Sequence, residues 1–128
     1  MTYYMSKKVD LSFHAALDRV KDELKNEGFG VLTEIDVRDA LKKKLDVEFR
    51  NYRILGACNP PFAYKALQAE EKIGVLLPCN VIVQEGSDGT VEVAAIDPAA
   101  SMQTVGNPAL SDIAGQIREK LQNVITRL

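Results

Sequence analysis

The dipeptide Cys-Asn occurs twice in this chain, as Cys58-Asn59 and Cys79-Asn80, and these are its only two cysteines. Each follows a run of apolar or small residues, Ile54 to Ala57 before the first and Val75 to Pro78 before the second. Short apolar runs of this kind read as strands. If the two lie side by side, both thiols reach one place. A thiol can ligate a metal or, when its pKa is depressed, act as a nucleophile, while an asparagine amide can hold a polar ligand group.

Cys58 would sit at the end of a strand, one residue before a helix start, where partial positive charge and free amides can lower a thiol pKa. Read as fold chemistry alone, it is a small buried hydrophobe. Cys79 follows Pro78, and a bulge there would turn its side chain into a cleft. Otherwise it is a core residue of a central strand. The 20 residues between them do not make the C-x-x-C spacing of redox motifs or zinc knuckles.

Zinc takes four ligands, or three and a water. With Cys58 and Cys79 as metal candidates, the chain adds one histidine, His14, in the first turn of a helix beside Phe13. A complete site would need Asp97 or ligands from a second subunit. Asn59 reads as a helix cap. Asn80, an amide within an apolar strand, must find partners or cost roughly 1–3 kcal/mol. The carboxylate of Asp97 can serve as general base or ligand, though Asp97-Pro98 also reads as a strand-ending turn. One histidine supports no Ser-His-Asp order. Gly28-Phe29-Gly30 lacks the third glycine of a dinucleotide fingerprint and precedes a strand, so it offers no phosphate loop.

The elements that must position these residues are legible from periodicity and caps. Tyr3 to Val9 reads as a strand. Ser12 is an N-cap for a helix whose Phe13, Leu17, Val20 and Leu24 share a face, and Gly28 suits its left-handed end. Gly30 to Ile35 follows as a strand with Val31, Thr33 and Ile35 on one face and Glu34 and Asp36 on the other. Asp36 caps a short helix with a buried stripe of Val37, Leu41 and Leu45. Tyr52 to Cys58 is a third strand. Asn59-Pro60 then starts a helix, with Asn as cap and Pro at its first position. Val75 to Glu85 reads as a strand, with Pro78 marking a start, an edge or a bulge. Gly86 to Gly89 turns the chain into a hairpin arm from Thr90 to Ile96. Asn107-Pro108 opens the last helix, with Leu110, Ile113, Ala114, Ile117, Leu121, Val124 and Ile125 in one apolar stripe. The order is β-α-β-α-β-α-β-β-α. It implies an α+β fold with a mixed, largely antiparallel sheet and helices packed against it.

At 128 residues the chain has the size of one domain, residues 1–128, and is long enough to bury a sizeable core without staples. Its net charge of −2 leaves no basic footprint for nucleic acid, and Lys42-Lys43-Lys44 reads as a solvated helix face. No apolar run approaches a membrane span or a signal peptide, and two cysteines do not make a disulfide framework. A cytoplasmic setting is the expectation.

The segments Gly28-Phe29-Gly30-Val31-Leu32, Tyr52 to Pro60, Ala63 to Leu67, Gly74 to Val81 and Ala95 to Pro98 together resemble domain-of-unknown-function family 302, in that family's order and over nearly the whole chain. The resemblance implies a small α+β fold with a curved sheet, similar to the TATA-binding-protein-like class, and a homodimer. It implies no reaction. Cys58, Asn59, Pro60, Pro78, Cys79, Asn80, Asp97 and Pro98 fall on its motif positions.

Three functional readings stand on these residues. The favoured one is a small-ligand or metal-binding module with a pocket near Cys58, Asn59, Cys79, Asn80 and Asp97, because capped helix starts and apolar strand ends commonly build clefts. The second is a structural or interaction homodimer with no small-molecule site. The third is a thiol-dependent enzyme or redox protein using Cys58. The sequence identifies no cofactor.

Overall fold

The computed structural model describes residues 2–128. Five strands form one open sheet in the order β1-β5-β4-β3-β2, with every neighbouring pair antiparallel. They are β1 (Tyr4–Val9), β2 (Gly30–Asp36), β3 (Tyr52–Cys58), β4 (Cys79–Glu85) and β5 (Val91–Ile96). The helices are α1 (Phe13–Asn26), α2 (Val37–Leu45), α3 (Pro60–Ala69), α4 (Pro98–Gln103) and α5 (Ala109–Thr126). The fold is α+β, as expected. No helix among the described residues is long and apolar enough to cross a membrane.

Helices α1 and α5 cover one face of the sheet. Met5, Val93, Ala95, Val81, Val83, Leu55 and Ala57 alternate inward from four strands and meet Leu17, Val20 and Leu24 of α1 and Ile117, Leu121 and Val124 of α5. A smaller cluster joins Ala66 of α3, Met102 of α4 and Leu110 and Ala114 of α5 around Ile73. The stripe foreseen on α5 is therefore real, and it serves two cores. Ile113 is its one half-buried member and packs against both.

Several local expectations hold for local reasons. Ser12 accepts a hydrogen bond from the Ala15 amide at 3.2 Å, and Asp36 accepts one from Asp39 at 3.0 Å, each filling an orphan donor of a first helical turn. Gly28 follows α1 with φ +86°, a conformation that favours glycine.

Others fail because a partner distant in sequence decides them. The register slips at Leu32, between the pairs Val31–Ala57 and Thr33–Gly56. This bulge turns Val31 and Glu34 to the helix-covered side and leaves Thr33 and Ile35 on the open face, so the regular alternation read for this strand is broken. Glu34 thereby reaches Lys21 of α1 at 2.7 Å and also pairs with Arg53 of β3. The stripe expected on α2 is not buried: no residue of that helix is, and Leu45 is 65 % exposed. Helix α2 packs mainly against β3 and the edge strand β2, and its outer turns are exposed. The run read as one strand from Val75 starts instead with a 3-10 turn, Ile73–Leu76, and the strand begins at Cys79, just after Pro78. Pro78 thus marks a strand start. Asp97-Pro98, which suits a strand-ending turn, instead opens the short helix α4.

On the open face, the register aligns Ser6, Ala94, Ile82, Ile54 and Ile35 in one row across all five strands. In the next row, Gly56 stands beside Thr33 on one side and Asn80 on the other. A Cβ on Gly56 would collide with Thr33 Oγ1 and come within 2.9 Å of Pro78 Cγ. Gly56→Ala is therefore expected to cost roughly 1–3 kcal/mol of stability in denaturant unfolding. Adding Thr33→Ala should recover part of that loss, since Pro78 remains in place. An unfolding midpoint unchanged by Gly56→Ala would refute this close packing.

Candidate functional site

The ends of β3 and β4 put the two cysteines together. Ala57 pairs directly with Cys79 across the ladder, so Cys58 lies one residue from that pair. Both thiols and Asn59 line a cavity of about 280 Å³ between the strand ends, α3 and α5. The rest of its wall is apolar, with Phe29, Ala63, Ala66, Leu77 and Ile117 inside and Leu32 and Leu67 at its exposed mouth. No histidine, carboxylate or basic residue lines it.

Each polar member of this cavity has a distinct environment. Cys79 is 6 % exposed. Burial pushes its thiol up to about 11, with the neighbouring Cys58 adding to the effect, so it is a neutral thiol at physiological pH. Cys58 is half-buried on the last residue of β3, where the chain turns into α3. Asn59 occupies the N-cap position of α3, as expected, but its side chain does not cap. Pro60 and Pro61 occupy the first two helical positions and have no N–H to donate to it, and the remaining amides of that turn do not donate to it either. The Asn59 amide instead donates to the Glu27 carbonyl at 3.1 Å, tying the end of α1 to the start of α3. A Cβ on Gly28 would stand 3.3 Å from that amide nitrogen, a second reason for glycine there.

The other two residues singled out in the sequence lie elsewhere. Asn80 is exposed on the open face of the sheet, because alternation sends it opposite to Cys79. An exposed amide carries no burial cost, so the protein partner expected for it is not required. It lines a shallow depression with Tyr4, Tyr52, Ile82 and Glu92. Asp97 caps α4: its Oδ1 accepts from the Ala99 and Ala100 amides at 3.0 and 3.4 Å, and its Oδ2 accepts from Arg118 Nε at 3.0 Å. Both oxygens are engaged, which leaves little for general-base work. His14 is exposed on α1, edge-on to Phe13.

Only the two thiols are of the Cys, His or carboxylate type that zinc takes, and two fall short of the three or four it needs. Among the described residues, no group of three or more His, Cys, Asp or Glu gathers that could supply the rest. What the arrangement can do chemically is surround a small apolar body and offer it soft, weakly polar contacts. Sequence reasoning missed the apolar wall supplied by α3, Leu77 and Ile117. The small side chains Ala63 and Ala66 were the signal, since they leave room on the helix face that meets the strand ends.

A model of the family described as domain of unknown function DUF302 matches residues 5–128. The chain is also similar to an uncharacterized conserved DUF302 protein from Bacillus stearothermophilus, known from its crystal structure. The two share 29 % identity and superpose with a TM-score of 0.92 over 99 % of this chain and 98 % of that one. No curated protein matches.

Burial of Cys79 predicts a pH signature. Its folded pKa, about 11, lies above its ordinary value of 9.0. The folded state therefore keeps the proton after the unfolded chain has lost it. The associated stability is complete below pH 9 and is lost as the pH rises toward 11, by about 2–3 kcal/mol for a shift of this size. Unfolding free energies measured from pH 8 to pH 11 should fall more steeply for the natural chain than for Cys79→Ala. Parallel curves would remove the basis for a buried neutral thiol.

Proposed function

The chain belongs to the DUF302 family, and we propose that it binds a small apolar molecule in the cavity where β3, β4 and α3 meet, with Cys58, Asn59 and Cys79 as the only polar groups against the ligand. The observation that carries this reading is the composition of that wall: apolar side chains surround two thiols with no charged or histidine side chain among them. A pocket with few convergent polar groups in an apolar wall is the common form of a small-molecule site. The exposed Leu32 and Leu67 at the mouth extend the apolar path to solvent.

Binding is favoured over catalysis and over metal capture. A thiol nucleophile needs a base or a depressed pKa, whereas no base lines the cavity and Cys79 is shifted the opposite way. A metal would have to displace a proton from Cys79 against the same burial. 1-Octanol serves as a neutral probe. It should raise the unfolding temperature and slow modification of Cys58 by a thiol reagent, with about 1.4 kcal/mol of stabilisation at tenfold excess over Kd. Ala63→Phe, which fills the cavity from α3, should abolish both effects while leaving the fold intact. Absence of any octanol effect on the natural chain would overturn the reading.

A second reading rests on a different observation. The row Ser6, Ala94, Ile82, Ile54 and Ile35 crosses the sheet on the face that α1 and α5 leave open, flanked by the exposed Tyr4. A second copy laid on that face would make a homodimer and cover this apolar row. Sedimentation of the natural chain should then report a dimer, and Ile82→Lys should yield a folded monomer. A natural chain that stays monomeric at high concentration would exclude it.

A further inference from the structure

We propose that the depression between α4 and α5 is a second binding site, and that it takes a small organic carboxylate through Arg118. Its volume is about 620 Å³, a size suited to a small ligand. It is separate from the thiol cavity.

The argument starts from how Arg118 is held. Asp97 is fixed at the end of β5, where its amide donates to the Tyr3 carbonyl at 2.8 Å. One carboxylate oxygen is spent on the first turn of α4, and the other accepts from Arg118 Nε at 3.0 Å. The carboxylate is largely buried, with its side chain 12 % exposed, while that of Arg118 is 44 % exposed. The ion pair therefore anchors the guanidinium by its inner nitrogen and fixes its plane. Among the described residues, the two terminal nitrogens donate to no acceptor. A guanidinium presents its donors as a rigid fork that matches a carboxylate in bidentate fashion. Holding that fork in advance reduces the rotamer entropy lost on binding.

The surroundings define the rest of the ligand. Met102, Leu110 and Ala114 supply a buried apolar floor beside Arg118, and Gln103 and Ser111 bring polar side chains to the rim. Asn107, which also lines the depression, is committed elsewhere: its amide nitrogen donates to the Ala69 carbonyl at 2.9 Å and its oxygen accepts from the Ala109 amide at 3.0 Å. A cation at one end of an apolar floor selects an anion with an apolar body. It disfavours a neutral analogue of the same shape, which would offer the two terminal nitrogens no charged acceptor of their own.

Benzoate is the probe, with benzyl alcohol as its neutral analogue, followed by amide and Arg118 Nε–H signals in NMR titrations. Benzoate should shift the Ala99, Ala100, Ser111 and Arg118 signals saturably, and benzyl alcohol should bind at least about tenfold more weakly. Arg118→Met keeps the apolar stem and removes the fork, and it should weaken benzoate by a similar factor. Shifts that stay linear to about 50 mM benzoate, or equal binding of the two probes to the natural chain, would overturn the proposal. Because the two-probe comparison uses the natural chain, it decides the matter even if Arg118→Met fails to fold.

Discussion

The apolar face of α5 is shared between two cores, and the placement of everything else follows from that sharing. Ile117, Leu121, Val124 and Ile125 press on the sheet alongside α1. One to two turns earlier, Leu110 and Ala114 face α3, α4 and the 3-10 turn. Each fully buried aliphatic side chain of this kind contributes roughly 1.5–3 kcal/mol, so several such contributions act together to seat the helix. Both cavities use it as a wall: Ile117 closes the thiol cavity, and Leu110, Ala114 and Arg118 build the one beside α4. The C-terminal end of α5 is tied down as well, with Arg127 and Asn123 on the Glu27 carboxylate and Lys7 on the Leu128 carbonyl. The Arg127 and Asn123 contacts hold the Glu27 carboxyl below its ordinary pKa against the opposing effect of burial.

The sheet has two unlike faces, and a single bulge sets the boundary at one edge. Without the bulge, with Leu32 paired in the ladder instead, Thr33 would face the helices and Glu34 would face solvent. With it, Glu34 meets Lys21 on α1, and Arg53 on β3 closes the group. These pairs are partly exposed, so their energetic weight is small. Their effect is on register, since a slip of one residue would separate every partner. The open face keeps its isoleucines in one row, and that uncovered row is what makes an interface between copies physically reasonable.

The repeated Cys-Asn dipeptide does not act as a repeated unit. In β4, alternation separates its halves, with Cys79 in the core and Asn80 in solvent on the opposite face. At the end of β3 the chain leaves the sheet, so Cys58 and Asn59 both line one cavity although they are adjacent. The geometry collects three of the five residues that looked functional in the sequence. It leaves the fourth, Asn80, exposed on the open face and spends the fifth, Asp97, on a helix cap and an arginine. The thiol cavity is left with two thiols and one amide in an otherwise apolar wall.

The sequence alone determined the features that neighbours in the chain enforce: the helix starts at Ser12 and Asp36, the left-handed glycine after α1, the hairpin at Gly86–Gly89, and the apolar stripe of α5. Caps, turns and periodicity act over three or four residues, so the information is local and readable. The nearness of the two thiols was legible only as a condition, that two apolar runs should pair. The bulge at Leu32, the bare outer turns of α2, the Asn59 bond to Glu27 and the union of Asp97 with Arg118 were decided by tertiary structure. Each depends on a partner far along the chain, or on what an element is packed against. Helix α4 lies between these cases. Its Asp-Pro start has the same form as the two Asn-Pro starts, but Asp97-Pro98 also suits a turn. Whether that turn propagates as a helix depends on Met102 finding the second core, which only the folded chain provides.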